Sequence, residues 1–198
     1  MASIKWVENT LVSVKLRENL YTPGLLKRSP YIWFFDIRCE EGNWKPADFE
    51  SVNRLFCVSV GRVVLQKLVV KKISDSEMVA PEAHKIPAEW IKPLQNTADW
   101  RVDNFPWRGG NLIELDSEVG SVDARVIKPS LNVTTDRRVI ESCELTNMWG
   151  DQDLSDRLCR YFDTGVNRDD LKFEVFPGLW DDREKLRPLT RRLPVPFR

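Results

Sequence analysis

The chain has 198 residues, 42% of them apolar, with 30 basic side chains against 30 acidic ones and a single histidine. A chain of this length buries roughly 70% of its unfolded surface, so it needs no metal or disulfide to hold a core. Zero net charge argues against a general nucleic-acid binder or a polybasic membrane-surface protein, and the single histidine removes multi-histidine metal sites.

In chain order, Val12, Val14 and Leu16 alternate with Ser13, Lys15 and Arg17, the period of a strand with one wet face. Tyr21, Thr22, Pro23 and Gly24 read as a turn, with Pro23 fixing one dihedral and Gly24 free to take a positive φ. Residues 31–37 are apolar on both faces up to Asp36, as in a central strand covered on each side. Their longest apolar run, residues 31–35, is far short of the roughly 20 residues that span a bilayer. Residues 40–46 break the strand, residues 54–60 begin another, and Gly61 ends it. Residues 63–73 fit two patterns, since Val64, Leu65, Leu68 and Val69 make a helical stripe while residues 69–72 also suit a strand; they read as a short helical or irregular piece followed by a strand.

Residues 74–110 lose periodicity and carry Pro81, Pro87, Pro93 and Pro106, which predicts a long loop ordered by Trp90, Trp100, Phe105 and Trp107. Strand signals return at residues 112–115, 122–127 and 138–145. The period then changes. Leu154, Leu158, Tyr161 and Phe162 recur at helical spacing, with Asp151 or Asp153 placed to cap the start and Gly165 just past the end. A second helical stretch covers residues 169–176, packs Leu171, Val175 and Phe176, and stops at Pro177 and Gly178. The expected fold is α+β: residues 1–182 as one domain, a curved antiparallel sheet with one or two C-terminal helices packed on it, and residues 183–198 as an extended, basic, proline-rich tail.

The polar motifs are sparse. Cys39, Cys57, Cys143 and Cys159 have no CxxC spacing and read as reduced, buried thiols. With no apolar leader after Met1, a cytoplasmic location is expected. His84 reads as a solvated loop residue, and Gly61, Gly109 and Gly110 do not form a phosphate-binding fingerprint. Asn132, Val133 and Thr134 match a glycosylation sequon by chance. Glu114 with Asp116, or Glu141 with Glu144, would be the acid–base pairs of an enzyme, but side chains so placed on strands usually face solvent. No catalytic residue, cofactor or metal site is expected.

Tryptophan is the salient residue, with eight in the chain. It offers large contact area at low rotamer entropy, which suits cores and interfaces alike. Trp6 and Trp33 read as core, whereas Trp44, Trp100, Trp107 and Trp149 lie near proline, glycine or charge and are interface candidates. Trp107 and Arg108, followed by Gly109 and Gly110, join an aromatic anchor to a guanidinium fork and a permissive backbone. Charge is uneven: residues 141–182 hold 11 acids against 4 bases, and residues 183–198 hold 6 bases against 1 acid.

The strand at residues 11–17, the Tyr-Ile-Trp-Phe-Phe-Asp strand from Tyr31 to Asp36, and the strand at residues 54–60 resemble the opening of bacterial polymorphic-toxin immunity proteins of the class called immunity protein 26. Ile86 to Trp90, the strand-rich middle, and Trp149 and Gly150 leading into the helix of Leu154 and Leu158 extend the resemblance over most of residues 11–162. It implies a non-enzymatic inhibitor that binds a cognate protein toxin, with no nucleic-acid or membrane partner. On that reading Asp151, Asp153 and Asp156 steer a basic toxin patch while Trp107 and Arg108 lock the complex, and Trp44, Trp100 and Trp149 add contact. Two other classes stay open: a viral or phage structural or adaptor protein with an extended arm, and a small hydrolase using paired carboxylates.

Overall fold

A computed structural model of the chain describes residues 5–45, 52–73, 85–95, 107–115 and 121–181. The fold is α+β. It divides into two compact units, residues 1–86 with 148–167, and residues 87–147 with 168–198. Each unit has its own sheet.

The first unit contains strands β1 (Leu11–Arg17), β2 (Leu20–Leu26), β3 (Tyr31–Phe35) and β4 (Arg54–Val60), helix α1 (Arg62–Lys67) and strand β5 (Val69–Lys72). The second unit contributes β6 (Glu89–Gln95), β7 (Trp107–Glu114), β8 (Arg125–Lys128) and helix α2 (Arg137–Ser142). The chain then returns to the first unit with β9 (Met148–Trp149) and α3 (Asp151–Thr164), and ends the described part with α4 (Leu171–Val175) in the second.

The first sheet runs β5-β1-β2-β3-β4-β9. It is antiparallel except for the β4–β9 pair, which is parallel, so the expected all-antiparallel sheet is mixed at that end. As the alternation predicts, Val12, Val14 and Leu16 face a core that also holds Phe34, Phe56, Leu154 and Leu158. Ile32, Trp33, Phe34 and Phe35 are all buried, so β3 is covered on both faces.

The turn expected at residues 21–24 is instead the middle of β2, and the chain reverses at Glu18 and Asn19, where Asn19 takes φ 58°. Proline tolerates this position because the β2–β3 ladder is interrupted there. Pairing holds from Gly24 to Leu26, and resumes beyond Pro23 as a bridge between Tyr21 and Cys39, so no neighbour needs the missing N–H. Gly24 serves close approach, since a Cβ there would stand 2.6 Å from Ile32 Cδ1.

Helix α3 ends where the sequence predicts, as Gly165 closes it at φ 75° with its N–H donating to the Tyr161 carbonyl. Neither Asp151 nor Asp153 is the cap. Gly150 holds that position without a side-chain hydrogen bond, and the two acids lie in the first turn, where they favour the positive end of the helix dipole.

The second sheet runs β6-β7-β8 and is antiparallel. Residues 89–95, expected within a long loop, are a strand: Trp90 pairs with Ile113 and Pro93 with Gly110. Trp90 is an interior residue whose Nε1 donates to the Pro87 carbonyl at 2.7 Å. Residues 138–145, expected to be a strand, begin as α2, because Ile140 packs with Leu145 and Val175 while Val139 and Cys143 flank the same cluster at helical spacing. Of the strand expected at residues 122–127 only the end pairs, as Ser121, Val122 and Asp123 form a turn.

None of the four cysteines is in a disulfide; Cys57 is buried and the others are half-buried. His84, Trp100, Asp116, most of the expected long loop and the basic tail lie outside the described residues.

Candidate protein-binding loop

After Phe35 the chain leaves the sheet and runs along it as residues 36–45, and polar contacts pin nearly every step. The Asp36 N–H donates to the Asn53 carbonyl at 2.8 Å, and the Thr22 hydroxyl donates to the Ile37 carbonyl at 3.1 Å. Tyr21 and Cys39 exchange backbone bonds of 2.9 and 3.1 Å. Gly42 turns back at φ 70° against the Tyr21 ring, where a Cβ would meet Cδ1 at 2.8 Å, so only glycine satisfies both conformation and space. The Ser13 hydroxyl donates to the Gly42 carbonyl at 3.3 Å and accepts from the Trp44 indole N–H at 3.1 Å. Lys71 Nζ donates to Asn43 Oδ1 at 2.7 Å, and Lys15 Nζ stands 5.7 Å from the centre of the Tyr21 ring.

The result is a loop that carries the half-buried Trp44 ring close to the half-buried Tyr21 ring of β2, both held in place. Rings fixed before a partner arrives lose little rotamer entropy on contact.

The other end of the loop forms one wall of a groove of about 350 Å³, with Asp36, Ile37 and Arg38 facing Tyr161, Phe162 and Gly165 of the α3 terminus. Polar groups face each other across it. Burial, followed by the Asp36 carboxylate opposite, raises the Tyr161 pKa. Arg38 donates from one terminal nitrogen to the Phe162 carbonyl and stands 5.9 Å from the Phe162 ring centre. A guanidinium carries five donors in a rigid fork, so Arg38 is positioned with donors to spare. Beside it Arg17 grips both Asp163 oxygens at 2.6 Å, which holds the Asp163 carboxyl below its usual range. These groups can read charge and hydrogen-bonding pattern on a second molecule.

Of the residues proposed from sequence, Trp44 alone belongs to this loop. Asp151, Asp153 and Asp156 share α3, but their environments differ. Asp151 is ion-paired with Lys67 at 3.0 Å, Asp153 is exposed, and Asp156 is buried. They do not form the continuous acidic face that steering requires, because positions 153 and 156 lie on opposite sides of the boundary between solvent and core.

Trp149 is also interior at 5% exposure: its ring lies 5.2 Å from the buried Arg157 guanidinium. It does not stand on a surface. Arg108 is exposed in the second unit, with one terminal nitrogen donating to the Glu174 carbonyl at 3.1 Å, and Trp107 follows the β7 backbone opposite Gln95. Gly110 is a packing glycine, whereas Gly109 takes φ 69° in open space. As to the carboxylate pairs, Glu114 is bound by Arg125 at 2.9 Å, and Glu141 accepts from Arg137 and from Trp180. The sequon asparagine, Asn132, uses its side-chain oxygen to accept from the Thr134 and Thr135 N–H groups, a turn-forming role.

Sequence reasoning missed Ser13, Tyr21, Arg38 and Gly42. A Gly-Asn pair before Trp44 signals a turn that could present the indole, but nothing local ties Trp44 to a serine 31 positions away.

Among the described residues no helix is long and apolar enough to cross a membrane, and no three histidine, cysteine or acidic side chains are grouped as metal ligands. No curated protein and no solved structure matches the chain. One family matches, over residues 1–181: the chain belongs to DUF8309, a domain of unknown function.

Proposed function

We propose that this chain acts by binding another protein and that, in line with its resemblance to the immunity protein 26 class, the partner is a toxin that it neutralises by contact. The observation that carries the reading is the Trp44 indole, which is hydrogen-bonded to Ser13 and half-buried at the rim of a pinned loop. Interfaces draw most of their binding energy from a few rigid aromatic and arginine anchors, and this loop carries Trp44 at one end, with Tyr21 of β2 near it, and Arg38 toward the other. Contact of this kind requires neither a nucleophile nor a cofactor. The mixed charges of Asp36, Arg38, Glu40, Glu41 and Lys45 give the surface a pattern by which one partner is told from another.

The test is co-expression with the product of the adjacent open reading frame. The expected result is that the neighbour arrests growth alone, that this chain restores growth, and that the two co-purify. Trp44→Ala and Arg38→Ala should each weaken the complex by at least about tenfold, which corresponds to about 1.4 kcal/mol. A thermal melt of each variant establishes that the fold survives. A harmless neighbour, or rescue without a complex, overturns the reading.

A further inference from the structure

We infer a second interaction surface, the open edge of β8, which is suited to an extended segment of another protein carrying carboxylates on either side of two apolar residues. This surface lies in the second unit and does not depend on the toxin reading.

Sheet edges are ordinarily protected against pairing with other chains. Among the described residues, three of the four edges are. The β5 edge carries Lys71 and Lys72, and β9 has only two residues. The β6 edge is covered, because the Ile91 N–H donates to the Glu144 carbonyl at 2.9 Å and the Thr146 N–H donates to the Ile91 carbonyl at 2.9 Å. β8 is the fourth. Among the described residues it pairs with β7 alone, so its outer row of N–H and C=O groups is available.

That edge is also where exposed apolar side chains concentrate. Val126 is 47% exposed, Ile127 40%, and Val122, in the turn just before the strand, 76%. The register moves from Ile113 opposite Val126 to Leu112 opposite Lys128, so Ile127 is an extra residue in a bulge and strict in–out alternation is lost. The two cations of this edge stand at its ends, each held by an acid of the strand's own unit yet still exposed, so the apolar pair between them is left uncovered: Arg125 lies 2.9 Å from Glu114, and Lys128 2.6 Å from Asp136.

Charge selects the occupant. β8 has a cation at each end and no acid. A second copy pairing over the full strand would place Arg125 opposite Lys128 if antiparallel, or each cation opposite itself if parallel, and like charges directly opposite are destabilising. The chain's own segment of residues 183–198, with 6 bases against 1 acid, has the same sign. An acidic–apolar–apolar–acidic strand from another protein answers both the backbone row and the two cations. The exposed Arg125–Glu114 pair leaves most of the Arg125 donors for a second carboxylate.

The experiment uses the full chain, labelled with nitrogen-15, and two capped hexapeptides: one with two valines between two glutamates, the other with lysines replacing the glutamates. The acidic peptide should give saturable shifts centred on the amides of residues 125–128, with affinity at least tenfold above the lysine peptide. Ile127→Asp, at a solvent-facing site, should abolish them while leaving the rest of the spectrum in place. Equal response to both peptides, or none, overturns the proposal. So does a concentration-dependent dimer in sedimentation that Ile127→Asp dissolves, since the occupant is then a second copy. Loss of rescue by Trp44→Ala concerns the other unit and leaves this result unaffected.

Discussion

The Arg157 guanidinium lies 3.8 Å from the centre of the Phe56 ring, inside the core that α3 shares with the first sheet. Arg157 is 4% exposed, and its Nε donates to Asn167 at 2.9 Å. A buried cation that stacks on an aromatic face and is hydrogen-bonded at its edge depends on being planar. Arg157→Lys keeps the charge and loses the stack and the fork, so it should destabilise the chain by about 1–2 kcal/mol. Arg157→Ala should cost more, about 3 kcal/mol, by leaving a cavity beside the Phe56 and Trp149 rings. Urea unfolding followed by circular dichroism measures both, and a lysine variant as stable as the parent would show that the stack is incidental.

Gly109 and Gly110 are adjacent but should respond differently to alanine. At Gly110 a Cβ would stand 2.7 Å from Ile91 Cγ2 and 3.1 Å from the Lys92 carbonyl, so Gly110→Ala overpacks a buried site and should cost about 1–3 kcal/mol. At Gly109 nothing lies within 4 Å of that position, and only φ 69° opposes a side chain, for about 1 kcal/mol. Paired thermal melts should rank Gly110→Ala as the more damaging variant.

Acid should unfold the protein partly through Asp136. Its carboxylate accepts the Asn132 N–H at 2.9 Å and Lys128 Nζ at 2.6 Å, and these contacts, the backbone bond foremost, hold it below the usual carboxylate range. A carboxyl depressed by folding contributes stability that is complete above its unfolded value of roughly 4 and disappears as pH falls through the lower folded value. Asp136→Asn should therefore be less stable than the parent at pH 7, with the gap closing below about pH 4. Urea midpoints from pH 7 to pH 2 decide it, and a gap independent of pH would refute the account. Asp163→Asn should behave in the same direction. Because the Arg17–Asp163 pair is exposed, its contribution should also fall with added salt.

Burial pushes the Cys143 thiol pKa up, and the thiolate is the reactive form. In the native chain at pH 7.5 Cys143 should therefore react with iodoacetamide more slowly than free cysteine, by roughly tenfold or more, and should react fully once the chain is unfolded. Peptide mass spectrometry reads the rate. Equally fast labelling in the folded chain would show that the site opens readily.

Much of the fold is legible in local pattern. The two-residue period of Val12, Val14 and Leu16 placed β1, the apolar run of residues 31–35 placed β3 as an interior strand, and the spacing of Leu154, Leu158 and Phe162 with Gly165 placed α3. In each case the signal lies within a few neighbours, because side-chain direction repeats every two residues in a strand and every 3.6 in a helix. Prolines misled for the complementary reason. Pro23 and Pro93 resemble punctuation until it is known whether a neighbouring strand needs the missing N–H, which is a property of the partner.

The site was less legible. Trp44 was singled out for its company of glycine and lysine, yet the same reasoning selected Trp149, which is interior. What separates them is distant in sequence: Ser13 receives the Trp44 indole at the rim, while Arg157 stands over Trp149 within the core cluster. By itself the sequence determined the α+β class, the principal strands and the C-terminal helix, all consequences of apolar periodicity. Only the tertiary structure decided that the described strands divide between two sheets, and which indoles and cations face solvent. A side chain's exposure is set by residues that approach it from elsewhere in the chain, and no local pattern records them.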